Sequence, residues 1–167
     1  THPEDTNRLR VHYQCQPRKG LYFSGWQDTT FRARRQIWTQ GQGIDHRHWI
    51  PHHDEQTDKV IVSLTVTFDS AYQVMSNGRL LSQEQGPGGR LRWHYAMEKP
   101  MSSYLIALVI GRYDTTHTRS ASGVPVRVLF WTTESLSPRS NPITSRASPE
   151  VASDWRTLNL RCLSPRP

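Results

Sequence analysis

VIVSLTVTF (residues 60–68) alternates apolar side chains with smaller or more polar ones at a period of two. Successive side chains of a strand point to opposite faces of a sheet, so this period predicts a strand with one buried face. The predicted buried face consists of Val60, Val62, Leu64, Val66 and Phe68. The β-branched residues in the segment favour the same conformation.

Three later segments extend the pattern. Residues 91–97 alternate again, residues 104–110 are apolar on both faces as in a covered central strand, and residues 124–130 alternate around Pro125. Proline cannot donate a ladder hydrogen bond, so the last of these strands is predicted at a sheet edge. Pro100 is predicted to begin a connection.

Turn signals separate these strands. Ser76-Asn77-Gly78 is typical of a tight turn, because Asn and Gly tolerate positive φ, and Gly86-Pro87-Gly88-Gly89 is typical of a loop between strands. Short strands at regular spacing without a long amphipathic helix predict an all-β fold, an antiparallel β-sandwich. The segment from Arg127 to Pro167 contains seven Ser, five Pro and six Arg, and is predicted to be an irregular tail.

Composition restricts the class of protein. The 167 residues are 35% hydrophobic with a mean hydropathy of -0.70, and their longest apolar run, residues 105–111, is far short of the roughly 20 residues of a transmembrane helix. A soluble protein is therefore expected, with the cytoplasm favoured. The net charge of +7 is spread along the chain, and a nucleic-acid partner is not expected. Two cysteines, Cys15 and Cys162, leave a single disulfide open.

Five segments resemble a known family in their order and spacing. They are RKGLYF (18–23), QIWTQGQ (36–42), RHWIP (47–51) followed by Asp54 and Asp58-Lys59, SNGRL (76–80), and KPMSSYLIA (99–107) followed by Gly111 and Tyr113. Together they resemble the N-terminal β-sandwich domain of the aminopeptidase N and leukotriene-hydrolase family of zinc metallopeptidases, the gluzincins. The resemblance implies that residues 1–130 are an incomplete copy of that domain, lacking its opening strands, and that residues 131–167 are a tail outside it.

The family's catalytic motifs are missing from this sequence. No His is followed by Glu, so the zinc motif H-E-x-x-H is absent, and YAMEK (95–99) matches the exopeptidase motif G-A-M-E-N only superficially. The resemblance therefore implies a substrate-capping fragment with no catalytic or metal-binding residue of its own. Zinc and a separate catalytic domain would belong to the intact enzyme, which removes N-terminal amino acids from peptides. We expect the chain alone to be inactive.

Gln40 and Gln42 are the candidate substrate-binding residues. Residues separated by one position point the same way on a strand, and a Gln carbonyl oxygen accepts hydrogen bonds from a peptide ammonium group. Gly41 and Gly43 leave room for a ligand to approach the backbone. The family resemblance implies that the residue at position 42 anchors the amino terminus of the substrate. Without the resemblance, both would be ordinary exposed polar residues.

Two other clusters offer alternatives. His46, His48, His52, His53 and Asp54 are residues of the types that bind zinc, although the resemblance places them on a turn where no metal is expected. Arg32, Arg34 and Arg35 with Phe31 and Trp38 match a polyanion-binding pattern, although a solvated face is the simpler interpretation.

A second function also remains open: a stand-alone β-sandwich binding or interaction module. Missing strands would leave sheet edges unpaired, and unpaired edges favour self-association.

Overall fold

Ten strands form three antiparallel sheets in the computed structural model, which describes residues 9–30, 33–53 and 55–131, and the backbone of 158–163. The strands are β1 (Leu21–Ser24), β2 (Gln36–Thr39), β3 (Lys59–Asp69), β4 (Gln73–Ser76), β5 (Arg79–Gln85), β6 (Arg90–Ser102), β7 (Leu108–Gly111), β8 (Asp114–Arg119), β9 (Pro125–Phe130) and β10 (Leu158–Leu163). The first sheet has the order β1-β2-β7-β4, the second β10-β3-β6-β5, and the third pairs β8 with β9. The predicted all-β antiparallel fold is confirmed.

One apolar core joins the two four-stranded sheets. All five predicted inward residues of β3 are buried, and they belong to the same cluster as Ile37, Val74, Leu108 and Ile110 of the first sheet. The Tyr95 hydroxyl of β6 donates to the Val74 carbonyl oxygen of β4 at 2.8 Å, which links the sheets directly. The period-two pattern therefore identified the inner face of the central strand correctly.

The segment 104–110 differs from its prediction as one strand. Ser103–Leu105 form a 3-10 turn, and only Leu108–Gly111 form the strand β7, which lies between β2 and β4. The Asn77 side chain donates to the Leu105 carbonyl oxygen at 3.0 Å and accepts from the Ala107 N–H. These side-chain bonds satisfy backbone groups that a ladder would otherwise satisfy, so the strand starts later than its apolar run.

Pro100 and the turn at residues 76–78 also behave differently from expectation. β6 continues past Pro100 to Ser102, and the register of its pairing with β3 shifts between Val60 and Val62. This irregularity leaves the proline, which has no N–H, out of the ladder. Asn77 and Gly78 do form a turn, but it passes from β4 in the first sheet to β5 in the second. The loop at residues 86–89 joins β5 to β6 as predicted.

The strand β9 agrees with its prediction in position but differs from it in burial. β9 is paired with β8 alone, as the edge position of Pro125 predicts, but its predicted inner face is exposed at Val126, Val128 and Phe130. Within the segment predicted as a tail, the structure describes one strand, β10, which pairs with β3. Cys162 lies in β10, where only the backbone is described. The possible disulfide between Cys162 and Cys15 therefore lies outside the described residues. No helix among the described residues is long and apolar enough to span a bilayer.

Tyr95 makes the stability of this fold sensitive to alkaline pH. Burial raises the pKa of Tyr95, and the Arg127 guanidinium opposes this shift only in part. The neutral phenol is thus favoured in the folded state, so its contribution is complete below the unfolded pKa of about 10 and is lost as pH rises through the folded pKa. We expect Tyr95→Phe to lower the free energy of unfolding by about 1 kcal/mol at neutral pH and to reduce its alkaline loss.

Urea titrations from neutral to alkaline pH measure both the loss of stability in Tyr95→Phe at neutral pH and its smaller loss at alkaline pH. Tyr104→Phe removes an exposed hydroxyl and should retain the wild-type alkaline loss. Because burial also raises the pKa of Tyr113, a part of the loss should persist in Tyr95→Phe. An alkaline loss as large in Tyr95→Phe as in the wild type would contradict this assignment.

Candidate functional site

Gln40 and Gln42 line a groove of about 400 Å³ at one end of the first sheet. The groove runs between the segment that leaves β2 and the segment that enters β7. Its lining residues are Thr39, Gln40, Gly41, Gln42, Tyr104, Leu105, Ile106 and Ala107. Both glutamine side chains are exposed. The structure therefore brings the two candidate residues to one concave surface.

The glutamines lie on a loop, whereas the sequence predicted them on a strand. β2 ends at Thr39, and the Gln40 N–H donates to the Gly20 carbonyl oxygen at 3.1 Å, which extends the pairing with β1 by one step. The chain then turns away from the sheet toward a 3-10 turn at Asp45–His48. The shared orientation expected from strand geometry is replaced by a shared position on one wall of the groove.

The opposite wall is a 3-10 turn with exposed apolar side chains. Tyr104 and Leu105 are 38% and 49% exposed. The backbone of this turn is held by the two Asn77 bonds and by the Ser76 hydroxyl, which donates to the Ala107 carbonyl oxygen at 2.7 Å. The Leu108 N–H donates to the Thr39 hydroxyl at 2.9 Å and so links the two walls. The groove therefore has the two glutamines on one side and an apolar surface on the other.

Sequence reasoning did not find the residues of this second wall. Asn77 gave only a turn signal, and its role depends on contacts with residues 28 and 30 positions further along the chain. The apolar run at residues 104–110 predicts a covered strand that includes Tyr104 and Leu105, because such a run does not reveal which of its members a turn will expose.

The histidine cluster is dispersed. His46 is 1% exposed, and its Nδ1 accepts a hydrogen bond from the Trp49 indole at 2.9 Å. His48 is exposed, the His52 Nδ1 lies 2.9 Å from the Ile50 carbonyl oxygen, and the His53 Nδ1 lies 3.5 Å from Asp58 Oδ2. Asp54 lies outside the described residues. Among the residues that are described, no three His, Cys, Asp or Glu side chains are grouped closely enough to hold a metal ion.

His46 instead supports the loop that carries the glutamines. A Cβ atom added to Gly41 would lie 2.1 Å from His46 Nε2, so the loop can pass this buried ring only as glycine. The ring is fixed by an edge-on contact with Trp49 in addition to the indole hydrogen bond. The position of Gln40 and Gln42 thus depends on a buried His–Trp pair beneath them.

Replacement of Gly41 and Gly43 by alanine should distinguish the loss of stability caused by close packing from the loss caused by backbone strain. Gly41→Ala places a methyl group inside the van der Waals radius of a fixed ring, and we expect a loss of about 1–3 kcal/mol in the free energy of unfolding. Gly43 has a φ of +75° with nothing within 4 Å of its added Cβ, so Gly43→Ala should lose only about 1 kcal/mol, from the left-handed backbone. Chemical denaturation of both variants measures the difference, and equal losses would show that His46 moves aside.

Comparison with known proteins supports the family assignment. The family model described as "Peptidase M1 N-terminal domain" matches residues 1–105. Aminopeptidase M1-B of Oryza sativa subsp. japonica is 33% identical over 112 residues, and Aminopeptidase M1 of Arabidopsis thaliana is 29% identical over 111 residues; each alignment covers 66% of this chain and 12% of the relative. Human glutamyl aminopeptidase is 25% identical over 126 residues, which cover 65% of this chain and 13% of that protein.

The chain thus spans about an eighth of the length of these relatives. The matched region contains β1–β6, both glutamines of the groove, and Tyr104 and Leu105 of its second wall, whereas Ile106 and Ala107 lie just beyond it. With the family model covering well over half of the 167 residues, the chain belongs to the peptidase M1 N-terminal domain family.

Proposed function

We propose that this chain is the substrate-capping part of an M1 aminopeptidase, and that its groove binds the amino terminus of a peptide substrate. The observation that carries the proposal is the exposure of Gln40 and Gln42 on one wall of a single groove. A peptide ammonium group has three N–H donors, and two amide oxygens supply acceptors for it without adding charge. The relatives' names, which include "Aminopeptidase M1" and "Glutamyl aminopeptidase", support a peptide substrate.

The zinc of the family does not fit the side chains described here. No described group of three candidate ligands lies close together, and H-E-x-x-H does not occur in the sequence. The part of the reaction that we assign to this chain is therefore binding alone. The groove would orient the amino end of the peptide, while cleavage would depend on a catalytic domain supplied elsewhere.

The proposal has a direct test in reconstitution. The purified chain should not hydrolyse an aminoacyl chromogenic substrate. Fused to the catalytic part of a plant M1 aminopeptidase in place of its own N-terminal domain, the chain should restore turnover well above that of the catalytic part alone. Turnover by the chain alone, surviving removal of contaminating peptidases, would refute the inactivity. Failure of a folded fusion to exceed its catalytic part would refute the capping role and favour the interaction-module alternative.

A further inference from the structure

Three arginines and three aromatic rings meet at the end of the first sheet opposite the groove. Arg34 and Arg35 directly precede β2, Arg112 directly follows β7, and Tyr72 directly precedes β4. The register places these strand ends side by side, since Gly111 of β7 pairs with both Gln36 of β2 and Gln73 of β4. We name this surface the arginine–aromatic patch and define it by Trp26, Arg34, Arg35, Tyr72, Arg112 and Trp131.

Each arginine of the patch lies over a ring. The guanidinium carbon of Arg34 is 5.0 Å from the ring centroid of Trp131, that of Arg35 is 5.8 Å from Trp26, and that of Arg112 is 5.3 Å from Tyr72. These distances lie within the range of cation–π contacts. The rings therefore hold three positive side chains at one end of the sheet.

The rings are themselves fixed by their neighbours. Trp26 stacks on Tyr72 at 5.7 Å, and its indole N–H donates to the Gln36 carbonyl oxygen at 3.0 Å. Trp131 packs on Tyr113 at 4.5 Å, and the Tyr113 hydroxyl donates to Gln36 Oε1 at 3.3 Å. An arginine stacked on a fixed ring loses less side-chain entropy when it binds a ligand, so the patch is preorganised.

Arg34 and Arg112 are the two exposed arginines of the patch. In the described ranges, neither Arg34 nor Arg112 forms an ion pair. Arg127, which donates to Gln73 Oε1 at 3.1 Å, adds a fourth positive charge at the start of β4.

The stacking also indicates which anion suits the surface. Single-stranded nucleic acid binds by stacking its bases on open aromatic faces, whereas Trp26, Tyr72 and Trp131 each have an arginine over the ring. What Arg34 and Arg112 can still offer is the N–H edge of a planar guanidinium, which matches a carboxylate in two parallel hydrogen bonds. We propose that the arginine–aromatic patch is a binding site for an acidic polypeptide segment, separate from the substrate groove.

The experiment measures binding of a fluorescein-labelled oligo-glutamate peptide to the full chain by anisotropy at low and at raised salt. Binding should weaken with salt, and Arg34→Gln and Arg112→Gln should each raise Kd about tenfold, the loss of one charge-assisted bidentate contact. Arg112→Lys keeps the charge but not the planar fork, and should lose most of the same affinity.

Arg79→Gln is the matched control. Arg79 is an exposed arginine of β5 in the other sheet, paired with Glu98 at 3.2 Å, so its replacement removes the same charge far from the patch. Its Kd should stay at the wild-type value. Arg34, Arg79 and Arg112 are exposed, so their replacement should leave the circular dichroism spectrum unchanged. An unchanged spectrum shows that each variant is folded.

Three results would overturn the proposal. The first is no salt-sensitive binding of oligo-glutamate. The second is an equal weakening by Arg79→Gln, which would reduce the effect to net charge. The third is tighter binding of a labelled single-stranded oligonucleotide through the same arginines, which would assign the patch to nucleic acid.

Discussion

Trp93→Ala should lower the free energy of unfolding by about 3–5 kcal/mol, the usual loss when a fully buried aromatic side chain is truncated. Trp93 is completely buried on β6, where it pairs with Val66 of β3 on one side and Gln83 of β5 on the other. Truncation removes the contacts of a large ring at the centre of the second sheet. A single domain has about 5–15 kcal/mol of stability in all, so this variant should lie near the limit of folding.

Trp93→Phe is the informative companion to that variant. The Trp93 indole N–H is buried and has no hydrogen-bond partner among the described residues. Phenylalanine keeps most of the ring volume and removes this unpaired donor, whose burial itself costs about 1–3 kcal/mol. We therefore expect Trp93→Phe to retain most of the wild-type stability. Urea unfolding with unchanged m-values measures both variants, and equal losses for Phe and Ala would show that the indole N–H has a partner in solution.

The predicted parts of the fold are those where burial follows a simple period. β3 is predictable because one face is core along its whole length, so its sequence alternates without interruption. The same logic fails for β9, which pairs only with the polar strand β8 and whose alternating Val126, Val128 and Phe130 are exposed. Alternation reveals two faces, but it does not reveal whether a second layer covers the apolar one.

The site shows a similar division. Gln40 and Gln42 could be selected from local sequence and family resemblance, and both lie in the groove. The second wall could not be predicted, because its position depends on bonds such as that from the Leu108 N–H to the Thr39 hydroxyl, 69 residues apart. The role of His46 was hidden for a related reason. A histidine that packs under a glycine has the same sequence signature as a histidine that binds metal.

The function predicted for the segment that contains Arg34 and Arg35 depends on contacts that the sequence does not show. Arg32 and Phe31 lie outside the described residues, and Trp38 stacks on Tyr22 at 4.6 Å. Arg34 and Arg35 lie over Trp131 and Trp26 instead, and Arg112 of a distant segment joins them. A pattern of basic residues interleaved with aromatic residues thus becomes a surface of guanidinium groups that lie over rings, for which we propose a carboxylate ligand.

Gln42→Ala should lower kcat/KM of the reconstituted fusion about 10- to 100-fold if Gln42 accepts a hydrogen bond from the substrate ammonium group. A hydrogen bond to a charged group contributes about 1.5–3 kcal/mol, and its loss appears directly in kcat/KM when it is present in the transition state. Gln42 is exposed in the groove, so its truncation should leave the stability of the chain unchanged. Gln40→Ala should have an effect of the same direction, since both amides lie on one wall.

Two further variants give this prediction its specificity. Gln83→Ala removes an exposed glutamine from β5 of the other sheet, and the fusion should keep its full activity. Gln42→Glu replaces a neutral acceptor by a charged one and should preserve binding of the ammonium group, because ionised acceptors form the stronger hydrogen bonds. Activity retained in the Gln42→Glu fusion and lost in the Gln42→Ala fusion would identify the side chain at position 42 as a hydrogen-bond acceptor for a cation. Unchanged kcat/KM in an active Gln42→Ala fusion would remove this residue from the binding site and leave the capping role to the shape of the groove alone.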